Sequence, residues 1–380
     1  MITVIHSIIN TKGAALAVLH TQLFIIMKKL LPVGYPVVKA YKWHAVPLTI
    51  LSAHCTDNLW IFNNYLQLVV QDYPDNAHWL DFYSIYDLHN VPRFPWLNVQ
   101  NIRLPQLTNY VDLIDFFKDC IDSNNYLDVH YDMYYLDHAF AYQLNHRISN
   151  MLIYGYDTDK NCFYAMDYLY NSSKIYDSLE IDMNLLVQSV LSDYNNRGIK
   201  GIYEYDSDYK FELDMDIAIA QMEDYITAQN NFKFFDRTQK KYPGTYKDMG
   251  YGIEVYRYLN IYIESVINGT LKFHVLPFVT LHEHKLCVFG FVKTAEEMTK
   301  ENLKSNEIND IVRQAGIIRT LGIKYKLTHN VSLLYTIRNR INDLNKAESM
   351  IMKDLLDLIK NCRKYEIIAT HHIYKIYKIQ

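Results

Sequence analysis

Residues Asn145–Tyr168, NHRISNMLIYGYDTDKNCFYAMDY, constrain this chain more than any other stretch. Two strand-like runs, Ile148–Tyr156 and Cys162–Met166, flank a polar turn, which is the pattern of an antiparallel hairpin. His146 stands just before the first strand and Asp167 closes the second. Such a hairpin presents an imidazole and its orienting carboxylate side by side, as a cysteine-nucleophile site requires. The third member is expected at Cys55, in AHCTDNLWIFNNYLQLVV.

Cys55, Leu59, Phe62, Leu66 and Val69 recur at helical spacing, so a long helix with one buried face is expected there. Ser52 is its candidate N-cap, placing Cys55 in the first turn. Backbone N–H groups and the positive helix end favour a thiolate at such a position. The structural alternative is that Cys55 is the first small apolar residue of the buried stripe.

Charge and cysteine usage narrow the setting. The 380 residues carry a net charge of −4, with neither the basic excess of a nucleic-acid binder nor an acidic arm. The five cysteines are scattered, odd in number and without a CxxC pair. That argues against a disulfide framework and for a reducing, cytoplasmic setting in which a nucleophilic thiol stays free. The 34 tyrosines read first as compositional bias and second as a ligand surface. Residues 1–26 hold an apolar run broken by Lys12, with no basic region before it. That is neither a membrane span nor a signal peptide. It reads as an extra helix, or as a segment before a natural start at Met27.

Further along, Tyr110–Ser123 is an expected amphipathic helix and Tyr126–Tyr135 a strand. Helices are expected around Asp182–Tyr194, Asp214–Gln229 and Tyr251–Val266, with strand and turn over Ile202–Leu213. Trp79–Pro105 and Asn230–Met249 read as loops, and the segment from Leu271 as a strand followed by a buried element. Ala295–Cys362 is helical by period, and the tail HHIYKIYKIQ reads as an edge strand. The expected division is residues 1–26, a catalytic core over 27–200, a second α+β part over 201–294 and a helical part over 295–380.

Other chemistries find little support. His282 and His284 of HEH would share a strand face, and His371 and His372 are adjacent, but neither pair has a metal-site spacing. HEHK reads as a structural element end. With 12 glycines there is no phosphate-binding loop and no nucleophile elbow. A thiol remains, with His146 as base and His138, His130 and His54 as competitors.

The pattern D-x-YY-L-x5-Y-x3-H-x5-LIYGYD is carried by Asp132, Tyr134, Tyr135, Leu136, Tyr142, His146 and Leu152–Asp157. It resembles papain-like cysteine-protease homologues of bacterial natural-product clusters. FYAMDY with Asp167, YGIEVY from Tyr251 and LHEHK from Leu281 add to the likeness, which extends loosely over residues 30–290. That group includes butirosin-type acyltransferases and the amide-forming member of closthioamide-type polythioamide assembly. The resemblance implies an α+β, papain-like fold with a helical C-terminal extension. It implies Cys55 as nucleophile and Asp167 as the aspartate after the catalytic histidine.

Two departures stand out. Relatives carry H-x-x-H before LIYGYD, and here the second position is Ser149. The base is then His146 or another histidine. Papain-type enzymes place a Gln six residues before the Cys, where this chain has Thr49. The oxyanion donor would be the Cys55 backbone N–H, helped by Thr49, Ser52 or Asn58.

The resemblance therefore implies an acyl chain moved from a carrier-protein phosphopantetheine thioester, through Cys55, to a small amine, with no metal or nucleotide needed. Tyr131, Tyr134, Tyr135, Tyr154 and Tyr156 are candidates to line an acyl groove, with core packing as the alternative. Lys28, Lys29, Lys39 and Lys42 are candidates to face an acidic carrier protein. No nucleic acid or membrane partner is expected. A hydrolase with the same acyl-enzyme, or a binding protein that has lost its base, are the competing readings.

Overall fold

A computed structural model describes residues 27–72, 78–83, 94–107, 112–170, 175–193, 198–231 and 247–377. The expectations for residues 1–26, and for residues 84–93 and 232–246 of the two loop regions, lie outside them, while within the first loop region residues 79–82 and 97–102 form strands instead. The principal elements in chain order begin with β1 (Lys28–Leu30), α1 (Lys42–His54), α2 (Leu59–Asn64), β2 (Leu68–Asp72), β3 (His78–Phe82), β4 (Leu97–Ile102) and α3 (Leu113–Asp122). There follow β5 (Tyr126–Asp132), β6 (Ile148–Asp157), β7 (Cys162–Leu169), β8 (Ile175–Asp182), α4 (Met183–Leu191), β9 (Ile199–Tyr205) and α5 (Met215–Thr227). The last are β10 (Lys247–Tyr251), α6 (Val255–Ile267), α7 (Leu276–Thr299), α8 (Ser305–Thr328) and α9 (Ser332–Tyr377). The architecture is mixed α+β, with antiparallel sheets and C-terminal helices.

Helix starts follow the side chains able to cap them. Asp112 accepts from the Ile114 and Asp115 N–H groups at α3, Asp182 from Leu185 at α4, and Asp214 from Asp216 and Ile217 at α5. Leu113, Phe117 and Ile121 then bury one face of α3 at i, i+4 and i+8.

The described residues fall into two compact units, one of residues 27–31 and 102–200, the other of 32–101 and 201–377. Residues 32–101, which carry Cys55, therefore group with the C-terminal half rather than within a 27–200 core.

In the first unit β5, β6, β7 and β8 pair antiparallel in that order. The 145–168 hairpin forms as its two runs about a polar turn predict. β6 serves two neighbours: Ile148–Ile153 pair with β5, and Gly155–Asp157 pair with β1. Gly155 makes this possible, because a Cβ there would meet Lys29 O at 2.7 Å and Leu30 Cδ2 at 2.5 Å.

In the second unit β2 lies between β10 and β3, all antiparallel, and α7 packs against β3 and α2. α8 packs on α7, α9 on α8, and α9 also covers α5 and α6. Three expectations are corrected here. The helix expected through Val69 breaks at residues 55–58, where Asn58 is left-handed (φ 56°), and Leu68–Asp72 is a strand. The strand expected after Leu271 is instead the start of α7, with Pro277 in its first turn, where a missing N–H costs nothing. The edge strand expected at the tail is the continuation of α9 to Tyr377.

HEHK sits in the middle of α7, and its last three residues are buried. On a helix, residues two apart face different ways, so His282 and His284 do not share a face. Glu283 accepts from the Ala40 N–H (3.0 Å), and His284 Nε2 meets Leu66 O (2.9 Å). Lys285 Nζ reaches Glu348 (2.6 Å), Tyr225 OH (2.8 Å) and His284 Nδ1 (3.0 Å), while Tyr256 also donates to Glu348. One buried ion pair thus ties α5, α6, α7 and α9. Removing one partner of such a pair leaves a buried charge uncompensated. Lys285→Met is expected to cost about 3–5 kcal/mol, read as a lower urea midpoint at unchanged slope.

Burial pushes the Glu283 carboxyl up to about 8. In the unfolded chain a glutamate ionises near 4.3, so the unfolded state loses its proton first as pH rises. This contribution to stability is complete at low pH and is lost from about pH 5 up to pH 8, at up to about 1.4 kcal/mol per unit. Urea titrations at pH 5, 6.5 and 8 should show that decline in wild type and its absence in Glu283→Gln. Equal slopes with pH in both proteins would refute it.

Candidate active site

The first unit builds a histidine–aspartate dyad at the open end of the hairpin. Asp132, the last residue of β5, is completely buried. Its Oδ2 lies 2.6 Å from His146 Nδ1, and its Oδ1 accepts from the Tyr134 and Arg147 N–H groups at 3.1 and 3.2 Å. A carboxylate oxygen only accepts, so Nδ1 carries the proton and Nε2 holds the free lone pair. His146 is 56% exposed, and Tyr134 stacks on its ring at 4.4 Å. A buried carboxylate, a fixed tautomer and an exposed nitrogen are the parts of a general base.

Asp167 does not orient His146. Its Oδ2 receives the Tyr131 hydroxyl at 2.5 Å and meets His138 Nε2 at 3.2 Å, and its Oδ1 accepts the Tyr168 N–H. All three side chains of this cluster are buried, and Ser149, opposite Tyr131 in the β5–β6 register, also bonds the Tyr131 hydroxyl. Burial, then the Asp167 charge, hold Tyr131 well above the usual tyrosine range. The physical reason for the exchange is strand parity. Asp132 and Tyr131 are neighbours on β5 and point to opposite faces, so only one of them can reach each carboxylate–imidazole pair. His130, another competitor, contacts Gly198 O with Nδ1 (3.2 Å).

Cys55 lies in the second unit, directly after the last turn of α1. It caps the C-terminal end of that helix and is not in a first turn. α1 runs from Lys42 through Pro47 to His54, so the expected N-cap, Ser52, is inside its final turn. Helix carbonyls, not N–H groups, point toward this end. The Cys55 N–H is itself donated to Leu51 O at 2.7 Å. Thr49 is buried and bonds back to Ala45 O (2.7 Å), and Asn58 Nδ2 donates to Thr56 O (3.3 Å). Of the oxyanion donors expected from sequence, Thr49 and Asn58 are thus engaged locally, while the Ser52 hydroxyl is buried without a hydrogen-bond partner among the described residues.

The group that meets the sulfur is one the sequence did not suggest. The Tyr205 hydroxyl, at the end of β9, lies 3.2 Å from Cys55 Sγ. His54 stacks on the Tyr205 ring at 4.0 Å and 8°. Burial raises the Tyr205 phenol above its usual range and lowers the His54 imidazole below its own. Cys55 is partly accessible and its thiol is free.

Tyr154 is buried with its hydroxyl on Ser178 (2.7 Å), and Tyr156 bonds Asp122 (2.8 Å), so with Tyr131 these rings are buried in the core. Tyr134 and Tyr135 stand beside His146. Of the basic residues, Lys28 faces Asp157 (3.6 Å) and Lys29 donates to Asp122 O (2.8 Å). Among the described residues, no group of three His, Cys, Asp or Glu side chains is placed to hold a metal ion, and no helix is long and apolar enough to cross a membrane.

The dyad assignment has a direct spectroscopic test. Nitrogen-15 spectra should show His146 in the Nδ1–H tautomer, and Asp132→Asn should abolish that preference while Asp167→Asn leaves His146 unchanged. Loss on Asp167→Asn alone would restore the pairing expected from sequence. No protein-family model matches the chain, and no curated protein matches it with significance.

Proposed function

We propose that this protein is a cysteine-dependent acyltransferase of the papain-like type, which forms an amide from a carrier-protein thioester and a small amine. The observation that carries the reading is the free, partly accessible thiol of Cys55 held against a tyrosine hydroxyl. The His146–Asp132 pair supplies a second support, because it has the tautomer and exposure of a general base. The roles are assigned from the chemistry each group is built for within its own unit.

In this scheme Cys55 attacks the thioester carbonyl and the phosphopantetheine thiol leaves. The amine then attacks the Cys55 acyl-enzyme, losing a proton to the base, and Cys55 is released. The thioester already carries the activation, so the reaction calls on no metal and no nucleotide. A setting in natural-product assembly, with polythioamide-like amides as one product class, follows from the sequence resemblance. Asp167 with His138 and Tyr131 would shape the protein around the base without orienting it.

Intact-mass spectrometry with a simple acyl thioester tests the proposal. Wild type should gain the acyl mass and Cys55→Ala should not. A small diamine should discharge the adduct faster than water does. Equal discharge by water alone would identify a hydrolase, and an adduct retained in Cys55→Ala would remove Cys55 from the chemistry. His146→Ala should slow acylation by about 10²-fold or more. If His54→Ala has that effect and His146→Ala has none, the base belongs to the thiol's own unit.

A further inference from the structure

Cys55 lacks the surroundings that usually make a thiol reactive. It follows the carbonyl end of α1, its own N–H is spent on Leu51 O, and Thr49 and Asn58 are bonded to backbone carbonyls. A sulfur anion in that position needs a donor from elsewhere. Among the described residues one hydroxyl reaches it, that of Tyr205, at 3.2 Å and from 150 residues away in the chain.

We propose that Tyr205 donates the hydrogen bond that holds the Cys55 sulfur in its reactive, anionic form, with His54 fixing the ring by stacking. The proposal rests on the reading of Cys55 as the nucleophile. Three observations support it. The His54 and Tyr205 rings are nearly parallel, which fixes the hydroxyl's direction at the sulfur. Burial keeps the phenol protonated at neutral pH, so its proton is available to donate. The charged groups facing Tyr205, Asp57 and Asp206, are both carboxylates and favour that protonated state. Partial burial also pushes the His54 imidazole below its usual range, which disfavours a cation in the stack and leaves the hydroxyl as the contact that meets the sulfur.

The role recurs at two points of the transfer. As the bond from sulfur to the acyl carbon forms, the donor's carbon–sulfur bond breaks. The donor leaves as a thiol, taking up the proton that the Cys55 thiol gave to the base. When the amine forms the carbon–nitrogen bond, its proton passes to the base and the electron pair of the cleaved bond returns to Cys55. The sulfur again leaves as the anion that Tyr205 O–H receives.

Tyr205→Phe keeps the ring and its stack on His54 and removes only the hydroxyl. Iodoacetamide labelling of Cys55, followed on the full-length protein by peptide mass spectrometry from pH 5.5 to 9.5, reads the effect directly. Labelling at pH 7.5 should slow roughly tenfold, the size of one hydrogen bond to a charged group, and the rising limb of the pH–rate profile should move to higher pH. Labelling of Cys120 and Cys362 in the same samples should be unchanged, which separates the effect from a loosened fold. Wild-type rates and an unmoved profile in Tyr205→Phe would overturn the inference. The acyl-transfer reading stands or falls separately: a wild-type enzyme that never acquires an acyl group defeats it, while the labelling comparison still decides the part played by Tyr205.

Discussion

A buried carboxylate with nowhere else to find donors organises the first unit. Asp132 is fully enclosed, and an enclosed carboxylate is costly unless each oxygen is bonded. Its donors are the backbone at Tyr134 and Arg147 and the ring of His146, the two ends of the loop between β5 and β6. The carbonyl of the same residue accepts from Ser189 on α4, and Met133 N–H closes onto Arg147 O. Satisfying one side chain therefore sets the loop's closure, the seat of α4 and the tautomer of an exposed imidazole. The geometry that removes the desolvation cost also orients the His146 imidazole, the base of the proposed function.

The second unit handles charge in a different way. Lys285, Glu348, Tyr225 and Tyr256 meet at the junction of four helices, and Glu283 and His284 hold backbone from the segments before α1 and before β2. Buried ion pairs gain little over apolar packing of the same shape. They do penalise any arrangement that leaves a partner unmatched. Because the rest of the inner faces of α7 and α9 is largely apolar, that penalty selects one register among many that would pack almost as well.

Cys55, the proposed nucleophile, shows how a thiol's setting depends on which end of a helix it occupies. At a helix start the backbone supplies N–H donors and a positive end, and the thiol needs little else. After the last turn of α1 the backbone supplies carbonyls, and stabilisation passes to a side chain. Tyr205 and His54 are suited to that: one places a phenol hydroxyl at the sulfur, the other stacks on its ring and holds it in place.

Local pattern carried far in this chain. Two apolar runs about a polar turn determined the 145–168 hairpin, capping aspartates determined the starts of α3, α4 and α5, and helical period determined most of the C-terminal half, because each depends on residues a few positions apart. The resemblance pattern even contained both members of the dyad, opening on Asp132 and passing through His146. What it lacked was the pairing. Whether His146 meets Asp132 or Asp167 depends on strand parity and on which side chain the β5 end buries, and these are settled only when the sheet forms. The apolar stripe after Cys55 read as one helix because spacing does not reveal a left-handed Asn58 or a strand at Leu68. Tyr205 against Cys55, and Lys285 against Glu348, join positions too distant for any local rule. Tertiary structure alone decided them, through the requirement that buried polar atoms find partners wherever the fold places them.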